Sequence, residues 1–345
     1  MIVRRPLFVS VVIAMVAAAV AVGCVPPGQS GPPSGDPLPE APRMRFPSAL
    51  PEGAIAIVAH RTPTGHITDY VVDADSARPW DHADVEDRRL MARAFGWLSS
   101  TGVELQPRGD GQLARCAEFE GTVCEDVPHL VYAANRGFSP DGTRFAVIDD
   151  PVGDPVLRVY DTATLDVVVE TAISDHAGPN PPVWSPDSSS LLVVVPVDGS
   201  NISFAGSLAT LAVAPGAEPV VLVEGGDDDL AAVPLGWSDD GRLSYLWLRF
   251  LAPDVPEYTI RSRPALGSGP ERILGETYQM SFNAALRDGS VIAAPPLDEH
   301  AGGEVPHLFG PAAGTVTPLA RPVLGLDGGD ELNGSVTRII GIVEP

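Results

Sequence analysis

One short pattern recurs along this chain: an aromatic residue, a serine, an acidic turn and a glycine, followed at once by an apolar run. It is clearest in Gly137-Phe138-Ser139-Pro140-Asp141-Gly142, which leads into Arg144-Phe145-Ala146-Val147-Ile148. Val183-Trp184-Ser185-Pro186-Asp187-Ser188 repeats it before Leu191 to Val195, and Gly236-Trp237-Ser238-Asp239-Asp240-Gly241 repeats it before Leu243 to Trp247. Arg287-Asp288-Gly289 is a weaker copy, and three fainter ones surround Gly53, Gly102 and Gly334. Each part has a physical reading. An Asp-Gly pair accepts the positive φ of a tight turn between two strands. The aromatic residue before it can fill the space between neighbouring sheets, and the apolar run suits a strand covered on both faces. A unit with two apolar faces cannot bury both of them alone, so copies must stack on one another.

Taking the glycine position, with Ser188 as its equivalent, the copies fall at 53, 102, 142, 188, 241, 289 and 334, so the spacings run from 40 to 53 residues. That is the period of a four-stranded propeller blade. A second strand pair follows each copy but the last. The clearest is Leu157 to Val169 with a turn at Asp161-Thr162-Ala163-Thr164, and others begin near Tyr70, Leu113, Ala209, Tyr258 and His307. The sequence here resembles TolB-like and WD40-like propellers, whose blades carry W-S-P-D-G before an apolar strand. The resemblance implies an all-β domain over residues 48–345. Six second pairs against seven motif copies predict six blades, with seven as the alternative. The last strand, near Gly334 to Val343, is expected to pair with N-terminal strands, because closing the ring removes exposed sheet edges.

Ahead of this body lie two segments of different character. Residues 1–24 place Arg4 and Arg5 before an apolar run from Leu7 to Gly23 that ends at Cys24. That order is the order of a signal peptide. Ala21-Val22-Gly23-Cys24 resembles a bacterial lipobox, which implies lipidation of Cys24 and removal of everything before it. An uncleaved membrane anchor is the alternative, since 17 apolar residues approach spanning length. Both readings put the body outside the cytoplasm, and the first makes it a lipid-anchored protein on the extracytoplasmic side of the cell membrane. Residues 25–47 are rich in Pro and Gly, cannot build a core, and read as a disordered tether.

Three cysteines are an odd number for an exported chain. Lipidation uses Cys24 and leaves Cys116 and Cys124. A turn centred on Glu120 sets those two opposite one another on paired strands, within reach of a disulfide. An oxidising compartment favours the bond.

Charge and composition then exclude several functions. There are 22 basic against 45 acidic residues, a net of −23, and every basic residue is Arg. A chain without Lys has no Walker A lysine, no Schiff-base lysine and no Ser-Lys dyad. So acidic a surface repels phosphate backbones, which argues against nucleic acid as a partner. The segments around Ser139 and Ser238 begin like a nucleophile elbow but lack its final Gly and sit inside the repeat. The seven histidines (60, 66, 82, 129, 176, 300 and 307) form no close ligand set, although His60 and His66 flank one turn. Asp227-Asp228-Asp229 and the Asp327, Asp330, Glu331, Asn333 loop carry hard oxygen ligands without calcium-loop spacing, so they read as solvated loop tips. No metal, cofactor or catalytic residue is expected.

The function expected is therefore binding or scaffolding by a monomeric, membrane-tethered propeller. Its partner would be an envelope protein or the outer domain of a sensor. The alternative is a propeller enzyme acting on a glycan or small extracellular substrate through paired carboxylates in the central funnel.

Overall fold

In the computed structural model the described residues are 44–45, 50–61, 67–108, 112–130, 133–149, 155–173, 183–196, 206–225, 232–252, 255–265, 269–277, 284–293, 303–304, 306–312, 314–318, 321–322 and 335–344. They belong to one compact unit, Ala41–Pro345. The expected leader with Cys24 and most of the tether lie outside them. At the tether's far end, Met44–Arg45 pairs with Arg321–Pro322.

The strands form six blades in a propeller ring. Blade 3 runs Ala133–Phe138, Arg144–Asp149, Val156–Asp161 and Val167–Ala172 from inside to outside. Blade 4 runs Val183–Trp184, Ser190–Pro196, Gly206–Ala212 and Val220–Val223. Blade 5 runs Ala232–Trp237, Arg242–Ala252, Val255–Pro264 and Arg272–Thr277, and blade 6 runs Ala284–Ala285, Val291–Ala293, His307–Phe309 and Val316–Pro318. In blade 2 Leu98 makes a single bridge to Glu104–Pro107, which is followed outward by Leu113–Cys116 and Cys124–Asp126. Blade 1 is assembled from both ends of the domain. Its inner strand is Ser335–Val343, and Ile55–Arg61, Ile67–Val72 and Ala77–Pro79 follow outward. Gly303–Glu304 adds a parallel pairing on the channel side of Ser335–Val343.

The second strand of a blade is apolar on both faces because each face meets a different neighbour. In blade 4, Leu192 belongs to a cluster with Leu243, Tyr245 and Trp247 of blade 5, while Leu191 and Val193 join Ala146, Leu157 and Val159 of blade 3. Equivalent clusters join blades 2 and 3 through Leu105, Leu113, Phe145 and Tyr160, blades 5 and 6 through Leu246, Ile260, Val291 and Phe309, and blades 6 and 1 through Ile292, Leu286, Val58 and Tyr70. The motif aromatics sit where expected. Trp184 lies in the cluster between blades 3 and 4 and donates its indole N–H to Gly137 O at 3.0 Å, while Trp237 and Phe138 pack in the two adjoining clusters.

The sixth interface, between blades 1 and 2, is built differently. A helix, α1 (Val85–Ala94), packs on the face of blade 1 turned away from blade 6. Gly341, Ile57, Val71 and Arg78 lie directly across from one another in four successive strands and so share that face. The helix meets both ends of this row. A Cβ on Gly341 would stand 2.6 Å from Ala94 Cβ, and Asp87 accepts two hydrogen bonds from Arg78 and one from Asp81 N–H. Asp87 is only 1% exposed, and the Arg78 guanidinium holds its carboxyl below the usual carboxylate range. From the other side of α1, Arg88 reaches Glu120 at the tip of the blade 2 hairpin at 2.7 Å. Asp84 caps the helix by accepting from Glu86 and Asp87 N–H. The all-β expectation did not include this helix.

The turn motif behaves alike in every blade. The backbone is left-handed at Gly53, Gly102, Gly142, Ser188, Gly241 and Gly289, one position per blade. The seventh copy, at Gly334, lies outside the described residues and leads into the inner strand of blade 1, whose second strand follows Gly53. Six blades therefore account for seven copies. By register, Val343 faces Ile55 as Phe138 faces Phe145 and Trp237 faces Leu243. Glu344 therefore stands where Ser139 and Ser238 stand in their turns, and Gly53 supplies the turn glycine from the other end of the domain. The Glu344 carboxylate accepts a hydrogen bond from Arg287 N–H of blade 6 at 2.8 Å.

Burial pushes the Glu344 carboxyl above its ordinary range. The Arg287 N–H and charge oppose this, and Asp288 and Asp239 reinforce it. A carboxyl with a raised native pKa binds its proton more tightly when folded, so its contribution is present at low pH and is lost as pH rises through the native value. Glu344→Gln should flatten that decline, which melting curves of the two proteins between about pH 4 and pH 7 will read.

Candidate functional site

Because the motif turns end the innermost strands, they surround one mouth of the central channel. Each is locked from within. Ser139 Oγ donates to Asp141 at 2.6 Å and accepts from Arg144 N–H at 3.0 Å. Ser185 with Asp187 and Ser238 with Asp240 repeat the arrangement, at 2.6 Å and 2.5 Å. In blade 2, Ser99 and Thr101 form the same clamp at 2.9 Å, and Ser99 Oγ accepts from Val103 N–H. These hydrogen bonds hold the Asp141 and Asp187 carboxyls below their ordinary range, although burial opposes them and is the larger single influence at Asp141. The serines that begin like nucleophile elbows are therefore buried turn clamps with acidic partners, and among the described residues neither bonds to a histidine.

The turns are also tied to one another around the mouth. Ser100 Oγ donates to Pro140 O at 3.0 Å, Asp141 N–H to Ser188 Oγ at 3.2 Å, and Asp239 N–H to Arg287 O at 2.7 Å. The bond from Arg287 N–H to Glu344 continues this chain into the closing blade. Of the funnel carboxylates sought in the sequence, Asp239, Asp288 and Glu344 are close enough to influence one another electrostatically. Among the described residues no group of three His, Cys, Asp or Glu could hold a metal.

The outer rim presents a different surface. In blades 3, 4 and 5 the register of the outermost strand slips by one residue, at Val168, Leu222 and Leu274. Such bulges blunt a free sheet edge against further pairing. Branched aliphatic side chains are exposed near the rim of five blades: Val123 just ahead of the last strand of blade 2, and Val167, Val220, Ile273 and Val316 in the outermost strands of blades 3 to 6, with Val123 85% exposed. Ile273 and Val316 belong to adjacent blades and line one shallow, open groove of roughly 370 Å³ with Leu274, Phe309 and Glu276. Gly275 forms its floor, and a Cβ there would stand 2.4 Å from the Phe309 ring.

Cys116 and Cys124 are brought together as expected. They face each other across paired strands and are joined by a disulfide with Cα atoms 4.2 Å apart, with Glu120 left-handed at the turn. His82 is exposed and lies against Trp80 with ring centroids 3.9 Å apart, and His129 is exposed in a left-handed turn. His60 and His307 lie in strands. His66, His176, His300 and both acidic loops fall outside the described residues. Sequence reasoning missed the groove, because its walls come from two blades. It also missed Asp69, a carboxyl beside His82 whose pKa burial pushes up.

No family model matches the chain, and no curated protein matches it in sequence. Solved structures similar to it include TolB from Acinetobacter baumannii, at 13% identity and a TM-score of 0.48, over 83% of this chain and 66% of that one. An oligogalacturonate lyase from Vibrio parahaemolyticus, at 12% identity and 0.49, covers 84% of this chain and 87% of its own. Kuenenia stuttgartiensis hydrazine synthase, at 12% and 0.44, covers 79% and 80%. Likenesses this distant transfer no activity.

Removing a clamp should cost stability alone. Ser238→Ala leaves Arg242 N–H and Asp240 without their partner inside the turn, a loss of about 1–3 kcal/mol, to be read from urea denaturation. Opening the disulfide loop by replacing Cys116 and Cys124 together with Ala should cost about 2–3 kcal/mol by the same measurement.

Proposed function

We propose that this protein is a binding or scaffold propeller, tethered by lipidated Cys24 to the extracytoplasmic side of the cell membrane, whose partner is an envelope protein or the outer domain of a sensor. The observation that carries the reading is the groove lined by exposed Ile273 and Val316 where blades 5 and 6 meet, with exposed aliphatic side chains near the rim of three further blades. Isolated exposed apolar residues are ordinary, but these two stand together over one groove backed by the buried Phe309 and Leu274, a place that a partner can cover. The turn-side mouth supports the same reading, since its serines and aspartates are engaged in holding the ring. The Pro-rich stretch at 25–47 would give the body reach above the membrane.

Cross-linking in intact cells followed by affinity capture should recover one reproducible envelope partner. The double variant Ile273→Asp, Val316→Asp, with an unchanged melting temperature, should lower that recovery at least about fivefold. Recovery of no partner by a well-expressed bait would count against binding as the role. Cys24→Ser should move the protein from the membrane to the soluble extracytoplasmic fraction.

A further inference from the structure

Blade 5 carries five of the 22 arginines of a chain whose net charge is −23: Arg242, Arg249, Arg261, Arg263 and Arg272. Two of its arginines lie on the face turned toward blade 6. Gly236, Ser244, Ser262 and Arg272 stand directly across from one another in four successive strands, so they form one row from the channel to the rim. At its inner end a Cβ on Gly236 would meet Ala285 of blade 6 at 2.8 Å, which fixes which neighbour the row faces. Arg242, two residues from Ser244 on the same strand, shares this face.

The row carries donors without acceptors. Arg242 is anchored through Nε to Ser262 Oγ at 3.1 Å and through Nη2 to Ser262 O at 2.8 Å and Pro270 O at 3.2 Å. Its Nη1 has no partner among the described residues. Arg272 is exposed, and among the described residues no hydrogen bond or ion pair engages it. Ser244 is 3% exposed, and its hydroxyl has no hydrogen bond among the described residues. Acids nearby are committed elsewhere: Asp240 to Ser238, and Glu271 to Tyr245 and Arg261 on the opposite face. Burial, together with the neighbouring Arg272 charge, holds Arg242 below its ordinary pKa against the pull of Asp240. The two guanidiniums share one face and repel one another, and an anion bound by both relieves that repulsion.

We infer that Arg242, Arg272 and Ser244, on the blade 6 side of blade 5, form a binding site for a phosphate or sulfate group. Two guanidiniums and a hydroxyl on one face offer the donors that a tetrahedral oxyanion accepts from. Ser262 orients the first guanidinium. The site adjoins the groove that begins at Ile273, so a phosphorylated ligand bound here would extend along it.

Inorganic phosphate and sodium chloride, titrated at equal ionic strength, test this by calorimetry and melting temperature. Phosphate should give saturable heat and raise the melting temperature where chloride does not. Arg272→Gln, at an exposed position, should leave the melting temperature of the free protein unchanged and weaken phosphate binding at least about tenfold. Ser244→Ala should weaken it by a smaller factor. Vesicles containing phosphatidylglycerol, compared with phosphatidylcholine, separate a lipid headgroup from free phosphate as the source, and an Arg272-dependent response to either supports the site. Phosphate behaving as chloride does, or binding that survives Arg272→Gln unchanged, would overturn it.

Discussion

A blade of this protein has two apolar faces and no means of burying either by itself. The whole arrangement follows from that constraint. Alternation along a strand sends Leu191 and Val193 to one neighbour and Leu192 to the other, so each blade is stable only between two more. Burying a side chain of that size contributes about 1.5–3 kcal/mol, and each of five interfaces collects several. A row of such units has two unsatisfied ends, and bending the row into a ring removes both. The sixth interface departs from the rule, with α1 lying over blade 1 and an ion pair between exposed Arg78 and buried Asp87 in place of an apolar cluster. A pair of this kind does little for net stability but is costly to break, so it specifies position more than it adds strength.

Closure also explains the odd chemistry of the last residues. In five blades a turn runs continuously from the inner strand to the second. In blade 1 the same turn is interrupted, with one half supplied by Val343-Glu344 and the other by Glu52-Gly53. A glutamate whose side chain accepts a backbone N–H from blade 6 replaces the serine that clamps an unbroken turn. Burial, reinforced by Asp288 and Asp239, raises the pKa of the carboxyl at this seam, so its contribution to the ring varies with pH.

The repeat made most of this fold legible. Positions singled out for a tight turn are left-handed in the structure, Ser188 included, which shows that the spacing and not the glycine itself identified the site. The strands near Tyr70, Leu113, Ala209, Tyr258 and His307, and the Cys116–Cys124 pairing, followed from local pattern and lie where pattern put them. Features that depend on two distant segments were not legible. Gly275 looks like any strand glycine until Phe309 of the next blade is laid against it. The Arg242 and Arg272 pair is separated by thirty residues and joined only by strand register. Helix α1 has a polar sequence without a wide apolar stripe, and its signal was confined to its ends, with Asp84 as cap and acids in the first turn.

The split blade has a mechanical consequence. The strand Ile55–Arg61, where the chain enters the ring, lies between Ser335–Val343 on one side and Ile67–Val72 on the other, antiparallel to both. A pull through the N-terminal side would act along this strand, so the hydrogen bonds on both of its edges would be loaded together in shear. They would not open one after another, as at a peeled edge. The ring would resist traction best at the place where its covalent continuity is broken.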